Sequence, residues 1–78
     1  LAPACRTALD IGCGSGILAL AAAKLGCHAY GVDHERPAVR EAIRHAERNG
    51  ITNAHFDDTP IEKLTDTYDL VLANLHAE

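Results

Sequence analysis

The sequence has no tryptophan and no methionine, and aromatic residues make up only 4% of its 78 positions. Large rings therefore cannot fill the interior, so leucine, isoleucine, valine and alanine must form the core. An excess of basic residues is also missing: the formal net charge is −4, which argues against nucleic acid as the main partner. The hydrophobic fraction of 47% is too high for a disordered chain. These figures allow one small folded domain.

Long hydrophobic runs are missing as well. The longest, from Ile17 to Ala23, is far shorter than the ~20 residues of a membrane-spanning helix, and no secretory signal is visible. An odd number of cysteines without CxxC spacing predicts reduced, buried thiols rather than disulfides, and the histidines are too scattered for a metal site. We therefore expect a cytoplasmic protein with no metal and no membrane segment. The three cysteines are Cys5, Cys13 and Cys27.

Hydrophobic patterning predicts strands and helices in alternation, which is typical of right-handed βαβ units and a parallel sheet. Gly50 after Asn49 and Pro37 in a first turn mark the ends of the second helix. We therefore expect an α/β fold with about four strands and two main helices on one sheet face. The predicted strands are 7–11, 28–33, 54–56 and 68–74, the predicted helices are 17–25 and 37–49, and a short helical turn is predicted at 60–64.

Three of these segments carry expectations about burial. The helix at 17–25 is apolar nearly all round, which predicts that it is buried. In the second helix an apolar stripe should face the core. The unbroken apolar run 70–73 predicts a strand covered on both faces. Because the predicted elements leave one sheet face largely bare, we expect further parts of the domain beyond position 78. The stripe comprises Val39, Ala42, Ile43 and Ala46.

The strongest functional signal is a glycine-rich turn between the first strand and the first helix. Gly12, Gly14 and Gly16 alternate there, which lets the backbone turn tightly and lets a ligand approach the main chain. The following helix directs its free N–H groups at that turn. A tight strand–helix turn without a ligand would use the same residues, but the position in a βαβ unit favours binding.

An acidic residue at the end of the second strand supports a nucleoside ligand. Asp33 follows Gly12 by 21 positions, near the ~20 expected for a carboxylate that accepts hydrogen bonds from ribose hydroxyls. Its alternative role is to cap the helix that begins near Pro37, and both roles are compatible.

The glycine spacing distinguishes between cofactors. The dinucleotide fingerprint GxGxxG requires glycine or alanine at position 17, where this chain has Ile17. Asp10, two positions before the first glycine, would repel a pyrophosphate but suits a cationic ligand such as an amine or a sulfonium. The pattern therefore favours S-adenosylmethionine over NAD.

The segment Leu9–Leu18 resembles the first motif of class I S-adenosylmethionine-dependent methyltransferases, which have a Rossmann-like sheet. Within that superfamily the chain most resembles the ribosomal protein L11 methyltransferases, which modify amino groups of a ribosomal protein. The resemblance covers nearly all 78 residues, and the Ala73-Asn74-Leu75 ending favours this branch. It implies that residues 1–78 are the cofactor-binding front portion of a methyltransferase domain. Further matching segments are 21–26, 31–33, 46–50 and 69–75.

The resemblance also implies roles for individual residues. Gly12 would line the cofactor turn, with Asp10, Gly14 and Gly16 around it. Asp33 would hold the ribose, and Asp57 or Asp58 would meet the adenine amino group, unless they are solvated loop carboxylates. One departure is the proline of Glu35-Arg36-Pro37, which is one place later than is usual in the family.

Asn74 is the implied catalytic residue. A polar amide directly after an apolar strand emerges at the carboxyl edge of the sheet, where α/β folds bind ligands. There it would position an amine nucleophile beside the methyl group, and positioning can supply most of the rate. A plain turn at the strand end is the alternative, and His76 is expected to be an exposed loop residue.

Three functions remain open at this point. The first is an N-methyltransferase acting on a ribosomal protein. In the second the cofactor is the same and the acceptor is a small molecule or another protein. The third is a catalytically silent cofactor-binding fragment. The acceptor, the number of methyl groups transferred and the oligomeric state do not follow from the sequence.

Overall fold

The computed structural model describes residues 5–73, which form a four-stranded parallel sheet with the strand order β3-β2-β1-β4. This arrangement confirms the predicted α/β fold. The elements follow in the predicted order, with the short 3-10 turn η1 (Ile61–Lys63) before the last strand. The strands are β1 (Thr7–Ile11), β2 (His28–Val32), β3 (Ala54–Asp57) and β4 (Leu70–Ala73), and the helices are α1 (Ile17–Lys24) and α2 (Arg36–Arg48).

The core lies between the sheet and the two helices. Asp10, Gly31 and Phe56 occupy paired positions on β1, β2 and β3, and their side chains share the face that the helices cover. Gly31 is essential to this packing, because a Cβ there would lie only 2.6 Å from Cδ1 of Phe56. The missing side chain thus makes room for the only phenylalanine of the chain.

Helix α1 is less buried than the sequence predicts. Three of its alanines and Leu20 are buried, but Ile17 is 69% exposed, and Leu18 and Ala21 are also exposed. The prediction of a fully buried helix is therefore wrong for these residues. Only one side of α1 can rest on the sheet, and its other side has no cover within residues 5–73. In α2 the same correction applies to Ile43, which is exposed at the margin of an otherwise buried stripe.

Strand β4 lies at the edge of the sheet, paired only with β1 among the described residues. Leu70 is 40% and Val71 54% exposed. The cover on both faces that the run 70–73 predicts is therefore not present in residues 5–73. An edge strand has one neighbour, so its apolar side chains depend on other chain segments for burial.

The cysteines are free thiols, with Cys13 and Cys27 buried and Cys5 half-buried. No group of metal-ligating side chains occurs within the part of the chain that the structure describes. None of its helices is long and apolar enough to cross a membrane.

Candidate functional site

The glycine turn is fixed to the end of β2 by backbone hydrogen bonds. The N–H groups of Gly12 and Cys13 both donate to the carbonyl oxygen of Val32, at 2.9 and 3.0 Å. In the same region the N–H of Gly14 donates to Oδ2 of Asp33 at 2.8 Å. The structure thus brings the predicted turn and the predicted acid together at the carboxyl edge of the parallel strands.

Asp33 combines both roles that the sequence left open. Its Oδ1 accepts from the N–H of Glu35 at 2.9 Å, just before α2 begins, while Oδ2 holds Gly14. Because a carboxylate has about four acceptor positions, two remain for a ligand. Asp33 also lines the neighbouring cavity. Its two hydrogen bonds to backbone N–H groups therefore orient the carboxylate and leave acceptor positions free for a ligand.

This cavity has a volume of about 590 Å³ and opens at the carboxyl edge of β1 and β2. That volume lies within the ~300–1,000 Å³ range of small-molecule sites. Four carboxylates and no lysine or arginine are among the described residues that line it. The guanidinium of Arg36 is paired with Asp58, one of these four carboxylates, at 3.2 Å. The lining residues are Ile11, Gly12, Val32, Asp33, His34, Glu35, Asp58, Thr59, Pro60, Ile61 and Glu62.

Asp10 lies behind the turn and is only 2% exposed. Neither of its carboxylate oxygens has a hydrogen-bond partner within the described residues. Burial raises the pKa of the Asp10 carboxyl, the backbone N–H of Ala19 opposes this shift without reaching hydrogen-bond geometry, and the charge of Asp33 adds to it. A buried carboxylate without a partner is costly, and Asp10 is not among the residues that line the cavity.

Gly16 lies on the inner side of the turn rather than on the cavity. A Cβ at this position would be 2.9 Å from Cβ of Ala42 and 3.1 Å from Cζ of Phe56, and the backbone has φ +87°. Gly16 therefore allows the turn to pack closely on α2 and β3. Gly14, with open space around its Cα, has no such role.

The two candidate adenine-binding acids have different surroundings. Asp58 lines the cavity, whereas Asp57 accepts hydrogen bonds from the hydroxyl of Tyr30 at 2.7 and 2.9 Å and from the N–H of Thr59 at 3.0 Å. Burial acts to raise the pKa of Asp57, but these hydrogen bonds outweigh it and the pKa lies below its ordinary value. Asp57 thus anchors the start of the segment that carries Asp58.

Two other predicted residues lie outside the described range: Asn74, the implied catalytic residue, and His76. Cys13, next to the turn, is unsuited to nucleophilic chemistry, because burial and the charges of Asp10 and Asp33 raise its pKa to about 12. Sequence reasoning missed the contact of Tyr30 with Asp57, because these residues are 27 positions apart and meet only when β2 and β3 pair. It also missed the local bond from the Thr59 N–H to Asp57, two positions away, for which a short polar turn was the available signal.

Comparison with known proteins shows which family the chain belongs to. The family described as "Ribosomal protein L11 methyltransferase (PrmA)" matches residues 2–78. The chain belongs to the ribosomal protein L11 methyltransferase family. The ribosomal protein L11 methyltransferase of Dechloromonas aromatica is 52% identical over 71 residues, which are 88% of this chain and 23% of that protein. The protein of the same name from Xanthomonas axonopodis pv. citri is 45% identical over 92% of this chain and 24% of its own length.

Solved structures of the family and superfamily agree with this assignment. The ribosomal protein L11 methylase of Lactobacillus delbrueckii subsp. bulgaricus matches with a TM-score of 0.82 and 35% identity, over 88% of this chain and 37% of its own. A magnesium protoporphyrin IX methyltransferase from Synechocystis, solved with bound SAH, has a TM-score of 0.74 and 31% identity over 85% of this chain and 31% of its own. The chain spans about a quarter of the length of the curated relatives it matches.

The described residues fit an S-adenosylmethionine-like group. The cavity is anionic, the buried Asp10 has no partner of its own, and Asp33 keeps free acceptor positions. A sulfonium and an amine are cations, and hydroxyls of a ribose are donors. By contrast, a pyrophosphate would meet four carboxylates, of which only Asp58 is paired with a guanidinium within the described residues. This charge distribution supports the preference for S-adenosylmethionine over NAD that the glycine spacing indicated.

Proposed function

We propose that this chain is the cofactor-binding front portion, residues 1–78, of an S-adenosylmethionine-dependent N-methyltransferase that acts on amino groups of a ribosomal protein. Family membership supports the reaction and the acceptor class. The observation that carries the cofactor assignment is the placement of Asp33, tied to Gly14 and facing an anionic cavity.

Each residue has a defined task in this proposal. Asp33 accepts hydrogen bonds from the ribose hydroxyls, and Gly12 leaves the main chain open to the ligand. Asp58 accepts from the adenine amino group on the cavity wall, while Asp57 holds that wall through Tyr30 and Thr59. Asp10 supplies negative charge behind the turn, which favours a cationic ligand.

When bound, S-adenosylmethionine supplies a methyl group activated by its positive sulfur. The protein's contribution is to orient the acceptor amine, and our candidate for that role is Asn74, the residue that follows β4 in the sequence. In this proposal its side-chain carbonyl accepts a hydrogen bond from the amine and holds the amine in line, which is the main requirement for transfer to a neutral nitrogen.

The cofactor assignment is tested by calorimetric titration of the full-length protein with S-adenosylmethionine and, separately, with NAD. We expect binding of S-adenosylmethionine only. Asp33→Asn should weaken it by at least tenfold, since charged hydrogen bonds contribute about 1.5–3 kcal/mol. Glu47→Gln, an exposed charge change on α2, serves as the matched control. Binding of NAD without S-adenosylmethionine would overturn the assignment.

The acceptor is tested by transfer of a labelled methyl group. The full-length protein should label ribosomal protein L11 in preference to unrelated basic proteins and small amines. Label on a small molecule alone would favour the alternative acceptor class. Cofactor binding without any transfer would favour a catalytically silent binding protein.

The proposal includes a cytoplasmic location without a stable contact to nucleic acid or membrane. Its support is the set of free thiols, which is typical of a reducing compartment, and the ribosomal acceptor of the relatives. Fractionation with detection of the protein in the soluble cytoplasmic fraction is the direct check.

A further inference from the structure

One peptide unit of the glycine turn, between Ser15 and Gly16, is held at both ends. Its N–H donates to the carbonyl oxygen of Cys13 at 2.9 Å. Its carbonyl oxygen lies 3.0 Å from Nδ1 of His45, a residue 30 positions away in the sequence. Because a carbonyl oxygen only accepts, Nδ1 of His45 must carry the hydrogen of this bond.

His45 reaches the turn from a well-packed part of α2. It is half-buried, and two neighbours on the helix, Ala42 and Ala46, are buried. Ala42 also forms the surface on which Gly16 packs. The histidine therefore projects from a rigid element, so its ring can fix the position of the more adaptable turn.

Packing of Gly16 against Ala42 and Phe56 already holds the inner side of the turn, and the bond from His45 adds a directional contact to the Ser15 carbonyl. Gly14 has φ +55° and Gly16 has φ +87°, and glycine restricts the backbone least of all residues. Rotation of the peptide between Ser15 and Gly16 meets little steric resistance from Gly16 itself. Such rotation would also break the hydrogen bond from the Gly16 N–H to the carbonyl oxygen of Cys13 within the turn. A bond from α2 to the Ser15 carbonyl removes this freedom before the ligand binds.

We propose that His45 is a positioning residue for cofactor binding, which acts by fixing the Ser15–Gly16 peptide of the glycine turn through Nδ1. The inference rests on the proposed function, because it assumes that the turn binds S-adenosylmethionine. His45 itself does not line the cavity. Its contribution is preorganisation, which raises affinity by lowering the entropy cost of ordering the turn at the moment of binding.

Three substitutions in the full-length protein separate this role from a general structural one. The side-chain amide nitrogen of asparagine occupies nearly the position of Nδ1, whereas that of glutamine lies closer to Nε2. We expect His45→Ala and His45→Gln to weaken binding of S-adenosylmethionine by about 5- to 10-fold, the usual effect of one neutral hydrogen bond. His45→Asn should restore affinity to within about twofold of the unmodified protein. The control is His28→Asn, at the exposed start of β2 and away from the turn.

Calorimetry gives the affinities, and two-dimensional ¹H–¹⁵N spectra of the histidine ring give a readout that does not depend on binding. We expect the neutral ring of His45 to carry its hydrogen on Nδ1. An Nε2–H tautomer, or equal affinities in all three variants, would overturn the role of His45 while leaving the proposed function intact. Absence of S-adenosylmethionine binding by the unmodified protein would overturn the proposed function and this inference together.

Discussion

The glycine turn has an inner side, at Gly16, and an outer side, at Gly14. Both positions are glycine, but the two residues have different roles. On the inner side, Gly16 is buried against Ala42 and Phe56, with no space for a methyl group. On the outer side, a methyl group on Gly14 would have no heavy atom within 4 Å, and the N–H of this residue donates to Asp33. The inner side anchors the turn to the core, and the outer side leaves backbone and carboxylate available to a ligand. A glycine motif can thus combine a packing requirement with a binding requirement.

The largest expected effect comes from a methyl group on the inner side. Gly16→Ala combines overpacking, which costs about 1–3 kcal/mol, with an unfavourable positive φ, which costs about 1 kcal/mol. We expect the free energy of unfolding to fall by roughly 3 kcal/mol in urea titrations. Gly14→Ala is the matched control, because it has the positive φ without the collision and should lose only about 1 kcal/mol. Equal losses for the two variants would contradict the difference between the two sides.

The next effect concerns the carboxylate that ties the outer side to β2. In the unmodified protein the N–H groups of Gly14 and Glu35 each donate to a separate oxygen of Asp33. Asp33→Asn leaves a single acceptor oxygen for both. We expect a loss of about 1–2 kcal/mol in unfolding free energy, measured by urea titration at pH 7, because one of these donors, that of Gly14 being part-buried, loses its charged acceptor. An unchanged unfolding free energy would mean that the two bonds do not hold the turn.

Asp10 should behave in the opposite way. Asp10→Asn removes a buried charge that has no partner, so the unfolding free energy at pH 7 should rise by about 1 kcal/mol while S-adenosylmethionine binding weakens. Because burial raises the pKa of this carboxyl, its contribution is most favourable below the unfolded value of 3.8 and is lost as the pH rises through the folded value. Between pH 3 and pH 7, the unfolding free energy of the unmodified protein should therefore fall relative to that of Asp10→Asn. If the unfolding free energies of the two proteins changed with pH in the same way, Asp10 would not be a buried carboxyl with a raised pKa.

The smallest effect is expected at Tyr30, outside the turn. Tyr30→Phe removes the hydroxyl that donates to Asp57 and should lower the unfolding free energy by less than about 1 kcal/mol. The pKa of Asp57 lies below its ordinary value, so the stabilisation exists above the unfolded value of 3.8 and disappears as the pH falls through the folded value. The difference between the two proteins should therefore vanish in strong acid. A difference that persists at low pH would show that Tyr30 acts through packing alone.

Local patterns predicted the order and type of the elements well. Alternation of short apolar runs with longer helical segments led to the observed sheet, and the limits of β1 agree with the structure residue by residue. Such apolar runs did not predict whether a strand lies at the centre or at the edge of the sheet. Leu70 and Val71 have the composition of a central strand, yet β4 is an edge strand of the described sheet. Burial depends on neighbours that lie far away in the sequence.

The site was predictable where spacing along the chain determines it. The distance from Gly12 to Asp33 reflects one βαβ unit, so their meeting at one edge could be inferred. The contacts of Asp57 with Tyr30 and of His45 with Ser15 could not, because they join residues 27 and 30 positions apart through packing. Gly16 was assigned to the cofactor turn by its motif, but its close approach to Ala42 and Phe56 required the structure.

The most direct test of the central claim is a crystal structure of the full-length protein with S-adenosylhomocysteine. We predict that the ribose hydroxyls lie within hydrogen-bond distance of Asp33 and that the ligand fills the cavity between Gly12 and Asp58. A ligand bound elsewhere on the protein, without contact to Asp33 or the glycine turn, would contradict the account.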